Sequence, residues 1–298
     1  MLAQVPAGLL VDLLRSKAAA LTLGLVSAAA LAERLGRNAR YAAIGSAVGA
    51  GLMGACGTWV STRAVFWLAA LLCVPALLAL RSLGRQIAVP PPAKLSGPTR
   101  EAVRDVLLDR RLLAYVACTI LYHLSNAAML PLAGVEITKR AAQNANLIIA
   151  ACILVPQMLV ALLSPLAGRA VERWGRRGVL LVGFCALPAR ALLLAVVTDP
   201  LWIIPVQALD GLGGAVFGVI TPLVAADISG RGGRFNLRMG ILGLAIGVAA
   251  TVSNTVAGAI ASSLGAQTAF IALALAGICA VMTAGFAMPE AQPLMAVA

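Results

Sequence analysis

The feature that most restricts this chain is a succession of apolar runs, each close to the length that crosses a bilayer. Eight segments, 41–59, 64–80, 112–133, 146–168, 178–198, 201–226, 239–263 and 267–288, carry almost no charge. A helix rising 1.5 Å per residue needs about 20 such residues to cross roughly 30 Å of hydrocarbon. Inside lipid no water can satisfy backbone N–H and C=O groups, so such runs close their own hydrogen bonds as helices. A soluble domain is about half apolar and about a quarter charged. This chain of 298 residues is 61% hydrophobic and 11% charged. The expected class is therefore an all-α integral membrane protein with many passes, and its first partner is the lipid bilayer.

A ninth run, 18–32, is shorter, and residues 1–13 are apolar but too short to cross. Residues 81–111 break the pattern with Pro90-Pro91-Pro92 and a mixed-charge stretch from Arg100 to Arg111. That stretch predicts a linker holding a short amphipathic helix, with Thr99 as N-cap and Glu101 in its first turn. The chain thus divides into 1–80, a linker 81–111, and 112–298. No secretory leader is expected, because neither a basic start nor an A-x-A cleavage site follows Met1.

The formal net charge is +12. In a soluble protein that excess would suggest nucleic acid, but here the basic residues lie in short loops between apolar runs, so no nucleic-acid partner is expected. Alternate loops collect Arg34, Arg37, Arg40, Arg81, Arg85, Lys94, Arg100, Arg104, Arg110, Arg111, Arg169, Arg173, Arg176, Arg177, Arg231, Arg234 and Arg238. The opposite loops hold Arg63, Lys139 and Arg140. Seventeen against three places the first set, the linker and the C-terminus in the cytoplasm. Cys56, Cys73, Cys118, Cys152, Cys185 and Cys279 stand singly inside apolar runs, and the chain has one histidine. Neither a metal site, a disulfide framework nor a cofactor is expected. With no nucleophile–base set, phosphate loop or paired carboxylates, the chain is not expected to be an enzyme.

Two internal similarities organise the chain. Pro6-Ala7-Gly8-Leu9-Leu10-Val11-Asp12 parallels Pro165-Leu166-Ala167-Gly168-Arg169-Ala170-Val171-Glu172, and basic residues follow each. Gly36-Arg37-Asn38 parallels Gly233-Arg234-Phe235-Asn236, each leading into a Gly-rich run. The stretch Gly168-x-x-x-Glu172-Arg173-x-Gly175-Arg176-Arg177 resembles the signature loop of the major facilitator superfamily. The resemblance covers essentially the whole chain. His123-Leu124-Ser125-Asn126-Ala127-Ala128-Met129-Leu130-Pro131 and Asp210-Gly211-Leu212-Gly213 look like a bacterial efflux-type subgroup. The resemblance implies a helical bundle of two pseudo-symmetric halves, and a transporter that moves a small molecule by alternating access, coupled to protons. On this reading the second half is complete, with six helices between 112 and 288.

The first half departs from that pattern. Gly8 and Gly168 are 160 residues apart, but Arg37 and Arg234 are 197 apart and Phe66 and Phe270 are 204 apart. Between Lys17 and Arg37 there is thus no room for the family's fourth helix and part of its third. Only seven residues precede Gly8, where the pattern places a first helix and most of a second. The run 18–32 has basic residues on both flanks, which one crossing cannot place on the same side. The alternative reading is a truncated, transport-incompetent membrane remnant or scaffold.

Candidate residues fall into two sets. The signature-loop set is Gly8, Asp12, Gly168, Glu172, Arg173, Gly175, Arg176 and Arg177, where glycine admits a neighbouring helix and Glu172 with Arg173 form a cytoplasmic latch. The pathway set is His123, Asn126, Gln157, Arg190, Gln207, Asp210 and Asn254, polar groups within apolar runs. Arg190 lies ~18 Å into its run from one face and Asp210 ~14 Å into the next run from the other face. Depths that agree within a turn, in adjacent antiparallel runs, predict an intramembrane ion pair. Gly211, Gly213 and Gly214 beside Asp210 are expected to leave room for a ligand or water. Gly45-x-x-x-Gly49 and Gly243-x-x-x-Gly247 are expected to pack helices closely.

Overall fold

The computed structural model describes residues 28–86, 104, 108–141, 143–229 and 235–288. They form eight helices and no strand: α1 Ala28–Trp59, α2 Thr62–Gln86, α3 Arg110–Asn126, α4 Met129–Arg140, α5 Ala145–Val196, α6 Pro200–Ser229, α7 Phe235–Leu264 and α8 Ala266–Ala287. Residues 1–27, with Gly8 and Asp12, lie outside the described set, as do Pro90-Pro91-Pro92 and the expected cap at Thr99.

Among the described residues, five stretches are long and apolar enough to cross a membrane: Arg110–Arg140, Ala145–Val196, Pro200–Ile228, Phe235–Leu264 and Ala266–Ala287. Ala145–Val196 has 52 residues, or ~78 Å of helix, more than twice a bilayer's hydrocarbon thickness. It breaks at Gly175, whose φ of 73° and ψ of 170° suit glycine and almost no other residue. The break separates limbs 145–174 and 176–196, which correspond to the expected runs 146–168 and 178–198. The signature stretch is thus carried on helix almost to the junction, with one residue turning the chain where a loop was expected.

A second break divides the run that starts at Arg110. The Asp109 carboxylate caps α3 by accepting from the Arg111 and Leu112 backbone N–H groups at 3.0 and 3.4 Å. The helix stops at Asn126 and restarts at Met129. Pro131 lacks the N–H that would bond the Ala127 carbonyl, which favours a break at this point. Ser253 of α7 donates to the Leu124 carbonyl at 2.8 Å and Ser125 donates to the Leu273 carbonyl of α8 at 2.8 Å. These bonds tie the broken region to its neighbours.

The first part of the described chain differs from the reading of its charges. Residues 33–40 form no loop between runs 18–32 and 41–59; from Ala28 onward they belong to the continuous 32-residue α1. The segment is rich in Ala, Glu, Leu and Arg, and Arg37 pairs with Glu33 one turn away at 2.9 Å, so helix propensity prevails over the charge. Likewise α2 runs on to Gln86, past the expected boundary at 80.

Helix α1 lies antiparallel along the first limb of α5. A Cβ on Gly36 would come within 2.6 Å of the Ser164 carbonyl oxygen, and one on Gly54 within 2.3 Å of the Ala150 Cβ. Arg40 donates to the Ala161 carbonyl at 2.9 Å and Asn146 to the Gly57 carbonyl at 3.3 Å. The expected pair Gly45 and Gly49 does not make this contact, since nothing lies within 4 Å of either. At 3.6 residues per turn Gly45 sits ~180° around the helix from Gly36 and Gly54. Gly240, Gly243 and Gly247 of α7 face open space in the same way.

Two apolar cores fill the bundle. One joins Tyr115 and Tyr122 of α3, Leu180, Phe184 and Leu187 of α5, Ile220 of α6 and Leu242 of α7. The other joins Met129 and Ile137 of α4, Ile148 and Leu194 of α5, Ile203 of α6 and Phe270 of α8. Between them, in sequence order along α3, α5 and α6, stand Asn126, Arg190 and Asp210.

Candidate functional site

Arg190 projects from the second limb of α5 and is 2% exposed. Its Nη1 donates to Asp210 Oδ1 of α6 at 2.6 Å and to Asn126 Oδ1 of α3 at 2.5 Å. Asp210 keeps 29% of its side chain exposed. Burying a guanidinium in a bilayer is costly, and a carboxylate partner with charge-assisted hydrogen bonds is the usual compensation. The asymmetry gives each member a role: Arg190 is enclosed, and Asp210 is the face the pair shows to anything that approaches. Asn126 reaches Arg190 because α3 ends there.

His123 lies one turn before Asn126, on the same side of α3. Its ring meets Tyr122 and Phe217 edge-on, with centroids 5.2 and 5.1 Å apart. Tyr122 stacks on Phe217 at 4.7 Å and leans on Phe184 at 5.0 Å. Gln207 lies one turn before Asp210 on α6 and is fully buried. Five of the seven pathway candidates, His123, Asn126, Arg190, Gln207 and Asp210, therefore come from α3, α5 and α6 into one region. The other two do not join them. Gln157 is half-buried on the first limb of α5, and Asn254 is exposed on α7 and donates to the Ala250 carbonyl of its own helix at 2.8 Å. The neighbour Ser253 makes the cross-helix bond instead, and nothing in the sequence distinguishes the two.

The backbone of Gly211, Gly213 and Gly214 is covered by protein, so these glycines do not leave the room expected of them. A Cβ on Gly211 would meet Leu159 Cβ at 2.6 Å and the Pro156 carbonyl oxygen at 2.7 Å. One on Gly213 would meet Tyr122 Oη at 2.7 Å, and one on Gly214 would meet Val160 Cγ2 at 3.1 Å. These glycines let α3 and α5 approach α6. The aromatic group of Tyr122, Phe184 and Phe217 was not among the candidates either. Its members are spread over three runs, and aromatic residues in apolar runs are ordinary core.

In the signature loop, a Cβ on Gly168 would meet the Ala32 carbonyl oxygen of α1 at 2.7 Å. Gly36 faces Ser164 and Gly168 faces Ala32, so each glycine admits the other helix's backbone. Arg176 pairs with Asp227 at the end of α6, and Arg177 donates to the Gly285 carbonyl at the end of α8. Burial pushes the Arg176 pKa below its ordinary value. Glu172 is half-buried and Arg173 exposed, and neither forms an ion pair among the described residues. Gly175 is the chain reversal itself. At the opposite end of the bundle Glu136 pairs with Lys139 at 2.9 Å and Arg140 at 3.2 Å, while Arg140 also donates to the Thr198 carbonyl at 2.5 Å. No group of three or more His, Cys, Asp or Glu residues that could hold a metal is found among the described residues.

Apolar helices long enough to span a bilayer, joined by basic turns around a buried ion pair, define a multi-pass membrane protein. Residues 115–296 match the sequence profile of the Major Facilitator Superfamily. The chain is 33% identical over 287 residues to two proteins of Mycobacterium tuberculosis, one from strain CDC 1551 / Oshkosh and one from strain ATCC 25618 / H37Rv. Each is named an uncharacterized MFS-type transporter, and the alignment spans 91% of this chain and 67% of the relative. The chain belongs to the major facilitator superfamily, a family of membrane transporters.

Proposed function

We propose that the protein exports a small organic molecule across the cell's inner membrane in exchange for protons, with Asp210 as the proton-carrying carboxylate. The observation that carries this reading is the Arg190–Asp210 pair, enclosed on the arginine side and open on the aspartate side. Protonating Asp210 removes the counter-charge of a buried guanidinium. The surrounding helices must then rearrange or admit another partner, which is how a proton can bias a conformational equilibrium. Residues 112–298 supply a six-helix half, counting each limb of α5 as one crossing and α3 with α4 as one. Residues 1–80 supply helices of the other half, and 81–111 link the two on the cytoplasmic side. The Gly36–Gly168 crossing is where the halves meet, and rocking about such contacts opens a central site to each side in turn.

The test is compound-driven proton flux in everted membrane vesicles, followed with a fluorescent reporter of the pH gradient. A panel of lipophilic cations, anions and neutral aromatic compounds is added to energised vesicles. At least one should dissipate the gradient, and Asp210→Asn at equal abundance should abolish the response. The shortfall between Lys17 and Arg37 favours a second reading, a transport-incompetent remnant or scaffold. That reading requires no flux from any compound with the wild-type chain, and flux only when the missing helices are restored.

A further inference from the structure

Four side chains near the ion pair carry buried polar atoms that find no hydrogen-bond partner among the described residues. They are Thr119 Oγ1, His123 Nε2, Arg190 Nε and both amide atoms of Gln207. Buried polar atoms in folded proteins are nearly always partnered, by protein or by ordered water, and in lipid the penalty for leaving one bare is at its highest. Four such side chains in one neighbourhood are hard to reconcile with a dry site. They also lie in order. On α3 the positions Tyr115, Thr119, His123 and Asn126 recur at intervals of four, four and three, so they form one polar line over ~16 Å of helix. Asn126 holds Arg190 at one end of the line. At the other end Tyr115 and Thr221 bond hydroxyl to hydroxyl at 2.7 Å. Thr221 already donates to the Phe217 carbonyl at 2.7 Å, so Tyr115 is the donor. The bare atoms of Thr119 and His123 fall between two satisfied ends. Ordered water is the usual partner of buried polar atoms that protein leaves bare.

We propose that this line is a hydrated file inside the second half, and that it connects Asp210 to the cytoplasmic side through His123 and Thr119. The bound ligand is water, and the passenger is a proton. In the export direction Asp210 gives its proton to water beside it. His123 accepts a proton on one ring nitrogen and releases the proton of the other, ending in the opposite tautomer, and a ring flip resets it. Water at Thr119 carries the proton on. The titratable and charged groups on the helices packed about His123 are Tyr115, Cys118 and Tyr122 on its own helix, Arg190 on α5 with Cys152 beside it, and Asp210 on α6. On α7, Arg238 pairs through Nη2 with Asp109 at 3.6 Å while its buried Nε finds no partner among the described residues, and on α8 Cys279 is exposed. Asp210 is thus the acid on a neighbouring helix that faces the imidazole.

The relay rests on the proton-coupled reading above, but its test needs neither substrate nor flux. The chain has a single histidine, so [15N]histidine labelling of the full protein in liposomes reports one residue. Solid-state NMR should show a water cross-peak at the His123 imidazole. Its N–H should exchange with D2O at least tenfold faster than in Thr119→Val, and Thr119→Ser should behave as wild type. Thr119→Ala replaces the valine variant if the latter does not fold. A protected imidazole without a water cross-peak overturns the file. Equal exchange with and without the Thr119 hydroxyl overturns the cytoplasmic connection. Flux that is absent while His123 is hydrated overturns the transport reading and leaves the file in place.

Discussion

Removing Asp210 should damage the fold more than removing Arg190, although each change breaks the same bond. Arg190 is 2% exposed, its Nη1 serves both Asp210 and Asn126, and its Nε is already bare among the described residues. Asp210→Asn leaves that guanidinium enclosed with only amide oxygens to face. Breaking a buried pair on one side costs about 3–5 kcal/mol, and a central arginine costs ~2.5–3.5 kcal/mol on insertion scales. Arg190→Leu instead leaves Asp210 at 29% exposure, where it can hold water or a proton, together with one unpaired Asn126 oxygen. The cost of that change should be nearer about 1–3 kcal/mol, the price of unsatisfied hydrogen-bonding groups. In the double variant Arg190→Leu/Asp210→Asn no charge remains, and stability should recover to near that of Arg190→Leu alone. The assay is thermal unfolding in detergent, followed by loss of the monodisperse peak on size exclusion. At ~2–4 °C per kcal/mol, Asp210→Asn should melt on the order of 10 °C below wild type. Equal losses from the two single changes, or a double variant as poor as their sum, would refute the asymmetry and the coupling.

Other outcomes follow from contacts already described. Gly168→Ala and Gly36→Ala should each lower the melting temperature, at about 1–3 kcal/mol of overpacking, because the atoms their Cβ would meet are backbone. Gly240→Ala and Gly243→Ala should not lower it and should raise it slightly, by about 0.5–1 kcal/mol, since nothing lies within 4 Å and alanine favours helix. Gly213→Ala should destabilise, because Tyr122 Oη stands 2.7 Å from the new Cβ and its ring is held by Phe217 and Phe184. Adding Tyr122→Phe should rescue most of that loss, because the next atoms, the Gly183 carbonyl oxygen at 3.5 Å and Tyr122 Cζ at 3.6 Å, lie at ordinary contact distance. Ser253→Ala should cost about 1 kcal/mol by removing the donor to the Leu124 carbonyl, whereas Asn254→Ala should melt as wild type.

The sequence was legible wherever the question had one dimension. Counting residues at 1.5 Å each located the runs from 112 to 288, and it placed Arg190 and Asp210 at matching depths, where the structure joins them. The same counting does not reveal the continuity of α1 through residues 33–40, because charge by itself does not mark a loop. A Glu–Arg pair one turn apart supports helix just as readily.

What could not be read was direction around each helix. Gly36, Gly45, Gly49 and Gly54 are alike in sequence, and their spacing fixes only their angles relative to one another. Which of those angles faces a neighbour depends on where α5 lies, and nothing within α1 specifies that. The same limit explains why Ser253 bridges helices while Asn254 does not, and why Arg176 and Arg177, not Glu172 or Arg173, reach the ends of α6 and α8. Depth is a property of one helix and azimuth is a property of a pair. A polar residue's place in the membrane can therefore be inferred from its own run, but its partner follows only when a second run supplies an independent constraint. The opposite charges of Arg190 and Asp210 supply one, since each is costly in lipid without the other. The glycines supply none.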